Sequence, residues 1–219
     1  MIHESVNMLN LGRFYESLRT RRSGEFSYNP YHIESPRNFT LGNLKQYIEY
    51  MREQKTKVFL VGEAPGYKGC ALTGIPFTSQ EVVESKKHTI WQRLAPNIVL
   101  NDDHPGKENT ATIVWKLLEE LNYLPLFWNA FPFHPHERND VYSNRKPDSF
   151  ELREGAFYLT YLIEYFKPEH IIAIGRQAQN TLSRILNKEI KYIRHPSMGG
   201  ACAFRHGMRD LQEVLDSQK

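Results

Sequence analysis

Residues 58–79 read VFLVGEAPGYKGCALTGIPFTS. Val58, Phe59, Leu60 and Val61 form a short, uninterrupted apolar run that ends at once in a Gly-Pro-Gly turn, the pattern of a buried strand bounded by turn signals. In an open parallel sheet, ligands bind in the crevice beyond the carboxyl ends of the strands, so the loop after this strand is expected to floor a site. An ordinary strand-to-helix turn needs only one or two glycines. Here four glycines (Gly62, Gly66, Gly69, Gly74) and two prolines (Pro65, Pro76) crowd positions 62–76. Glycine at that density suits backbone that must approach a ligand closely.

Working outward, residues 41–53 carry Leu44, Tyr47, Ile48, Tyr50 and Met51 at helical spacing, and an earlier amphipathic helix is predicted over about 5–20. Between them, residues 21–39 hold Gly24, Pro30 and Pro36 without a sustained period, which predicts a long surface loop. There Arg21, Arg22 and Arg37 flank tyrosines and His32, a mix that either tracks a phosphate backbone or belongs to a solvated loop. On the other side, residues 80–94 are predicted helical in part, with Lys86, Lys87 and His88 exposed. Asn109 or Thr110 is expected to cap a helix with a buried stripe of Ile113, Val114, Leu117, Leu118 and Leu121.

Further strands are predicted at 125–131, 170–175 and 190–194, with helices at 149–166, 177–186 and 205–215 and a loop at 198–204. Strands alternating with helices predict an α/β fold: three layers, α/β/α, around a central, mostly parallel four-stranded sheet. One domain over residues 1–219 is expected, with the N-terminal helices (about 1–55) packed on its core. Right-handed crossovers gather the loops after successive strands at one edge, which brings GEAPG, NAFPFHP and HPSMGG around one crevice.

The formal charge of +3 is compatible with a polyanionic partner without demanding one. The two cysteines, Cys70 and Cys202, have no CxxC spacing, so neither a structural zinc nor a disulfide framework is supported, and both are expected as free thiols. No metal and no cofactor are expected. No apolar run approaches the ~20 residues of a membrane helix, and residues 1–10 lack the basic-then-apolar pattern of a signal peptide. A cytoplasmic protein with no membrane partner is expected.

A strand ending in GEAPG, a Phe in TGIPF, a strand-end Asn in WNAFP and a late HPS, in that order, resemble the uracil-DNA glycosylase superfamily. The resemblance covers residues 58–204 and is nearest to the branch that carries GEAPG followed by a G-x-PF element. That branch binds an iron–sulfur cluster through four cysteines. This chain has two, so no iron–sulfur cluster is expected by that route.

The resemblance implies roles residue by residue. His195 stands where the family places a donor to the uracil O2, Asn129 where it places the asparagine that pairs with N3–H and O4, and Phe77 where an aromatic stacks on the extruded base. Gly62, Ala64, Pro65 and Gly66 form the turn whose backbone N–H groups can serve the same anion. Members with the strongest activity use an Asp at the third position of this turn, which here is Ala64. Glu63 is then the nearest acid, either orienting water or turned structurally toward a loop N–H. Gly66 and Gly69 occupy places where a bulky side chain would block the thymine methyl, and Tyr67 is the residue able to take over that task. After HPS, Met198 or Phe204 is the candidate wedge into the vacated stack. Ser197 and Arg205 are candidate DNA contacts.

The resulting expectation is a monomeric, metal-independent hydrolase that removes uracil or a related deaminated base from DNA. Two alternatives remain: a non-catalytic binder of uracil-containing DNA, and a glycosylase with broader mismatch or deaminated-purine specificity.

Overall fold

The structure, a computed structural model, describes residues 11–101 and 106–217. In chain order its elements are α1 (Gly12–Thr20), β1 (Ser27–Tyr28), α2 (Thr40–Gln54), β2 (Val58–Gly62), α3 (Cys70–Thr73), α4 (Gln80–Ser85), α5 (Thr89–Leu94), α6 (Asn109–Leu121), β3 (Leu126–Asn129), β4 (His134–Pro135), α7 (Ser149–Phe166), β5 (His170–Ile174), α8 (Arg176–Leu186), β6 (Tyr192–Ile193) and α9 (Ala201–Asp216).

The apolar run at 58–61 becomes β2, buried along its whole length because parallel neighbours lie on both sides and helices flank the sheet. The sheet order is β3-β2-β5-β6 and every pairing is parallel. From β2 the chain steps outward to β3, then crosses back over β2 to β5 and on to β6. With right-handed crossovers, that reversal sends α6 to one face and α7 and α8 to the other. The reversal lies between β2 and β5, so the crevice at their carboxyl ends is the expected ligand position. Phe14 and Leu18 of α1 and Leu44, Tyr47, Ile48 and Met51 of α2 belong to the same apolar cluster as the strands.

Several expectations need correction. Residues 5–10 of the first predicted helix lie outside the described residues, and α1 runs from Gly12. The stretch 21–39 is a surface loop only in part. Ser27 and Tyr28 pair antiparallel with Pro135 and His134, while Asn29 and Tyr31 are buried. Buried backbone must find partners, and here the side chains supply them. Asn29 Nδ2 donates to the Leu18 and Arg21 carbonyls at 2.7 and 2.6 Å, and the Tyr31 hydroxyl donates to Gly74 O at 3.0 Å. His88 is buried and caps α5, its Nδ1 accepting from Ile90 N–H. Glu108, not Asn109 or Thr110, caps α6, since its longer carboxylate reaches the N–H groups of both Thr110 and Ala111.

The last helix also begins earlier than expected. Residues 201–204 form the first turn of α9, because Gly200 fits beneath the His195 carbonyl and its own carbonyl accepts from Phe204 N–H. Phe204 is thereby fully buried, which removes it as a wedge.

Helix α7 matches the expected 149–166. Its N-terminus is a capping box, with Asp148 Oδ1 accepting from Phe150 and Glu151 N–H at 2.7 and 2.9 Å and Glu151 Oε2 accepting from Asp148 N–H at 2.8 Å. Gly155 lets this helix press on the segment after β3: a methyl there would lie 1.9 Å from Ala130 O. Gly155→Ala is expected to destabilise the protein by about 3 kcal/mol, the upper end for overpacking. A urea titration with an unchanged midpoint would contradict this packing.

Candidate active site

At the carboxyl ends of the strands lies an open hollow of about 440 Å³, lined from four loops. Glu63, Ala64, Pro65 and Gly66 follow β2, Asn129 ends β3, Gly175 and Arg176 follow β5, and Arg194, His195 and Ser197 follow β6. Its floor depends on Gly62. A methyl at this position would lie 2.4 Å from Phe77 Cζ and 2.8 Å from Asn129 Oδ1. The missing side chain therefore creates the space in which Phe77 and Asn129 meet, with Gly62 and Asn129 in direct register across β2 and β3.

Phe77 has φ +55°, a left-handed conformation that costs a non-glycine residue about 1–3 kcal/mol and persists only when its surroundings enforce it. The enforcement is visible. Trp115 Nε1–H on α6 donates to Phe77 O at 2.9 Å, and the Phe77 ring packs on Phe127 of β3 with centroids 5.1 Å apart. The ring also lies 6.4 Å from the His195 imidazole. Asn129 is 4% exposed, and its amide makes no hydrogen bond among the described residues, so its donor and acceptor are both available to a ligand.

His195 is held by its own loop. Ser197 N–H donates to His195 Nδ1 at 3.2 Å, and Ser197 Oγ lies 2.7 Å from the same nitrogen. Nδ1 is therefore an acceptor, and the proton of the neutral ring sits on Nε2. Burial, and next the Arg194 charge, push the His195 pKa down to about 4, so the ring is a neutral N–H donor at pH 7.

Glu63 is half-buried, and its Oε1 is shielded from solvent with no hydrogen-bond partner among the described residues. Burial raises its pKa, opposed by the charge of Lys146. It is the carboxylate nearest the turn. The second lining acid, Glu108, is occupied in capping α6. Lys146, Arg176 and Arg194 add positive charge to the lining, whereas Arg145 is engaged by Glu151 at 2.7 Å.

The structure brings Glu63, Ala64, Pro65, Gly66, Phe77, Asn129, His195 and Ser197 to one hollow, with Gly62 beneath. Met198 stands at the tip of the following turn with φ +52° and 93% exposure. Arg205 sits half-buried on α9 and does not line the hollow, and neither does Phe204. Ser197 turns toward His195. Tyr67 also faces elsewhere, packing on His134 and Tyr142 across the turn, so at Gly66 the wall meets only Asn144 Oδ1, 3.6 Å from where a methyl would be.

Sequence reasoning missed Lys146, Arg176 and Arg194. For Arg176 a signal existed: it opens the helix after β5, at the point where strand order reverses. Lys146 arrives on an irregular connection whose path no periodicity reveals. Neither cysteine lies in a loop as expected. Cys70 is buried at the start of α3, its thiol pushed up to about 12 by burial, and Cys202 is exposed on α9. Two such thiols do not fit a four-thiolate cluster.

Comparison with known families matches residues 48–216, more than half of the chain, to the family described as the uracil DNA glycosylase superfamily. No curated protein matches the chain.

In ¹⁵N spectra the His195 ring is expected to show the neutral Nε2–H tautomer from about pH 8 down to its midpoint near 4. Arg194→Gln should raise that midpoint by removing a like charge. A midpoint near the ordinary ~6.5 would mean that the ring is solvated.

Proposed function

Because the chain belongs to the uracil DNA glycosylase superfamily, a superfamily of DNA glycosylases, we propose that it hydrolyses the N-glycosidic bond of uracil, or a related deaminated base, extruded from DNA. The observation that carries this reading is the neutral Nε2–H of His195 in one hollow with Phe77 and the unpaired amide of Asn129. Breaking the bond leaves the electron pair on the base and positive character on the sugar, and only groups that bind this charge distribution more strongly than the ground state raise the rate. A neutral, preoriented N–H donor suits the departing anion without a charge of its own to desolvate. Asn129 can donate to O4 and accept from N3–H, whereas cytosine presents the reverse pattern at both positions. Phe77 supplies the stacking face.

Glu63 is the group we assign to the water. Its carboxylate orients the nucleophile, and as the water oxygen bonds to C1′ the released proton passes to the carboxylate or to bulk solvent. The charged form also stabilises the sugar cation. Met198 is the wedge that fills the stack left by the extruded nucleotide. The open wall at Gly66 supports a further reading, in which the pocket also takes bases larger than uracil.

The decisive experiment is a cleavage assay on matched oligonucleotides bearing uracil, hypoxanthine, xanthine, or thymine opposite guanine, with binding measured in parallel. Abasic product from uracil is expected, and tight binding without product would favour the non-catalytic binder. His195→Ala should lower the cleavage rate by about 10²–10³-fold while changing binding little. Equal losses in both would remove its transition-state role. Asn129→Asp should relax discrimination against cytosine, with unchanged base preference counting against the pairing. Met198→Ala should slow cleavage in duplexes and spare single strands, where no stack is vacated.

The pH dependence separates the two titrating groups. Glu63 must be ionised, so activity is expected to fall as pH drops through its raised pKa, above the ordinary ~4.3 of a glutamate. The His195 midpoint, about 4, lies below that of Glu63, so His195 protonates later as the pH falls. Lys146→Gln should move the acid limb upward, because the cation that favours the carboxylate is gone. A limb that survives Glu63→Gln unchanged would exclude Glu63 as its source.

A further inference from the structure

A second hollow, about 260 Å³, lies on the other side of the turn at 65–67. Its walls include Tyr28, Arg37, Tyr67, His134, Val141 and Tyr142, and no acidic residue among the described ones lines it. Tyr67 and Tyr142 meet edge to face with centroids 6.3 Å apart, and Tyr142 is 64% exposed, so its ring is presented to solvent. Arg37 differs from the other arginine of its stretch that reaches the core. Arg21 is held by Glu154 at 3.0 Å and lies over the Phe133 ring. Arg37 Nε is buried without a hydrogen-bond partner, and its guanidinium has no carboxylate partner among the described residues. A guanidinium without a carboxylate partner, in one hollow with the exposed Tyr142 ring, is suited to a phosphate oxygen next to a stacked base.

The two hollows are joined through shared walls. His134 Nδ1 lies 2.9 Å from Pro65 O in the GEAPG turn, and its Nε2 lies 3.1 Å from Val141 O beside Tyr142. Asn144, which lines the first hollow, accepts from Tyr67 N–H at 3.3 Å. We propose that the second hollow is a DNA subsite for a nucleotide flanking the extruded one in the same strand, with its base stacked on Tyr142 and its phosphate held by Arg37. This inference rests on the glycosylase reading of the first hollow. Stacking on tyrosine is tolerant of base identity, so the subsite holds the strand without reading its sequence. A protein partner fits less well, because nothing in the hollow is matched to a side chain of particular charge or shape beyond one unpaired cation.

The test uses the full chain and single-stranded dodecamers carrying one uracil nucleotide made resistant to hydrolysis by a 2′-fluorine. 2-Aminopurine is placed in turn at each of the two positions on either side. Stacking quenches this fluorophore, so saturable quenching is expected at one flanking position. Tyr142→Ala should abolish the quenching and weaken binding by about fivefold or more, the lower end for loss of one stacked base. Tyr142→Phe, which keeps the ring, should retain it. Arg37→Gln should weaken binding and reduce the salt slope by about 0.7, the value for one single-strand phosphate contact. Turnover of cleavable uracil DNA at saturation should be unchanged in all three variants. Quenching absent at every position, or surviving Tyr142→Ala, with wild-type cleavage intact, overturns the subsite and leaves the glycosylase reading standing. Neither binding nor cleavage by the wild type overturns both.

Discussion

A side chain at position 62 would fill the space in which Phe77 and Asn129 meet. The rest of the site depends on that vacancy. Because β2 is the central strand that starts the sheet, its last residue lies where the carboxyl ends of β3 and β5 open on either side. A bare backbone there lets an aromatic ring from one loop and an amide from the neighbouring strand converge without displacing the sheet. Sheet register then fixes the amide: Asn129 stands opposite Gly62, and a shift by one residue would turn its side chain to the other face.

Around this point the fold spends stability on position. Phe77 holds an unfavourable backbone conformation that the Trp115 indole and the Phe127 ring maintain. Glu63 keeps a carboxylate oxygen buried and without a partner among the described residues. A strained backbone at Phe77 and a buried, unpartnered carboxylate oxygen at Glu63, both lining one crevice, mark a place where geometry is preserved against its cost. Electrostatics follows the same logic. A neutral histidine and an acid whose ionised form is held back by burial and favoured by a lysine are poised differently within one hollow.

Most of the sheet was legible because the strands are short apolar runs that end in turn signals, as at Val58–Gly62 and His170–Ile174. The site was legible where side chains follow strand ends directly: the rule that these ends share one edge gathers the loops of Glu63, Asn129 and His195, and the family resemblance singles out these residues within them. Phe77 was legible through the resemblance, but its left-handed backbone was not. Failures have a common cause in long-range contacts. Residues 21–39 look like a surface loop because their partners lie far away, at β4 and Gly74, and no local period encodes such pairing. Phe204 looked like loop because Gly199 and Gly200 are turn signals, yet Gly200 also admits a helix start against His195 O. Lys146 entered from a segment that has no regular structure to extrapolate.

The seating of Gly200 beneath the His195 carbonyl has an evolutionary consequence. The imidazole and α9 are joined by a segment whose length cannot change: Gly200 N–H donates to Ser197 O, and the helix begins at the next residue. Insertions or deletions between 195 and 200 would move the histidine together with the helix. Descendants of this sequence can vary the side chain at the exposed tip, Met198, within what its left-handed backbone allows, but not its distance from the hollow. Diversification of how the strand is engaged must proceed by substitution at a fixed reach, leaving length variation to connections farther from the histidine.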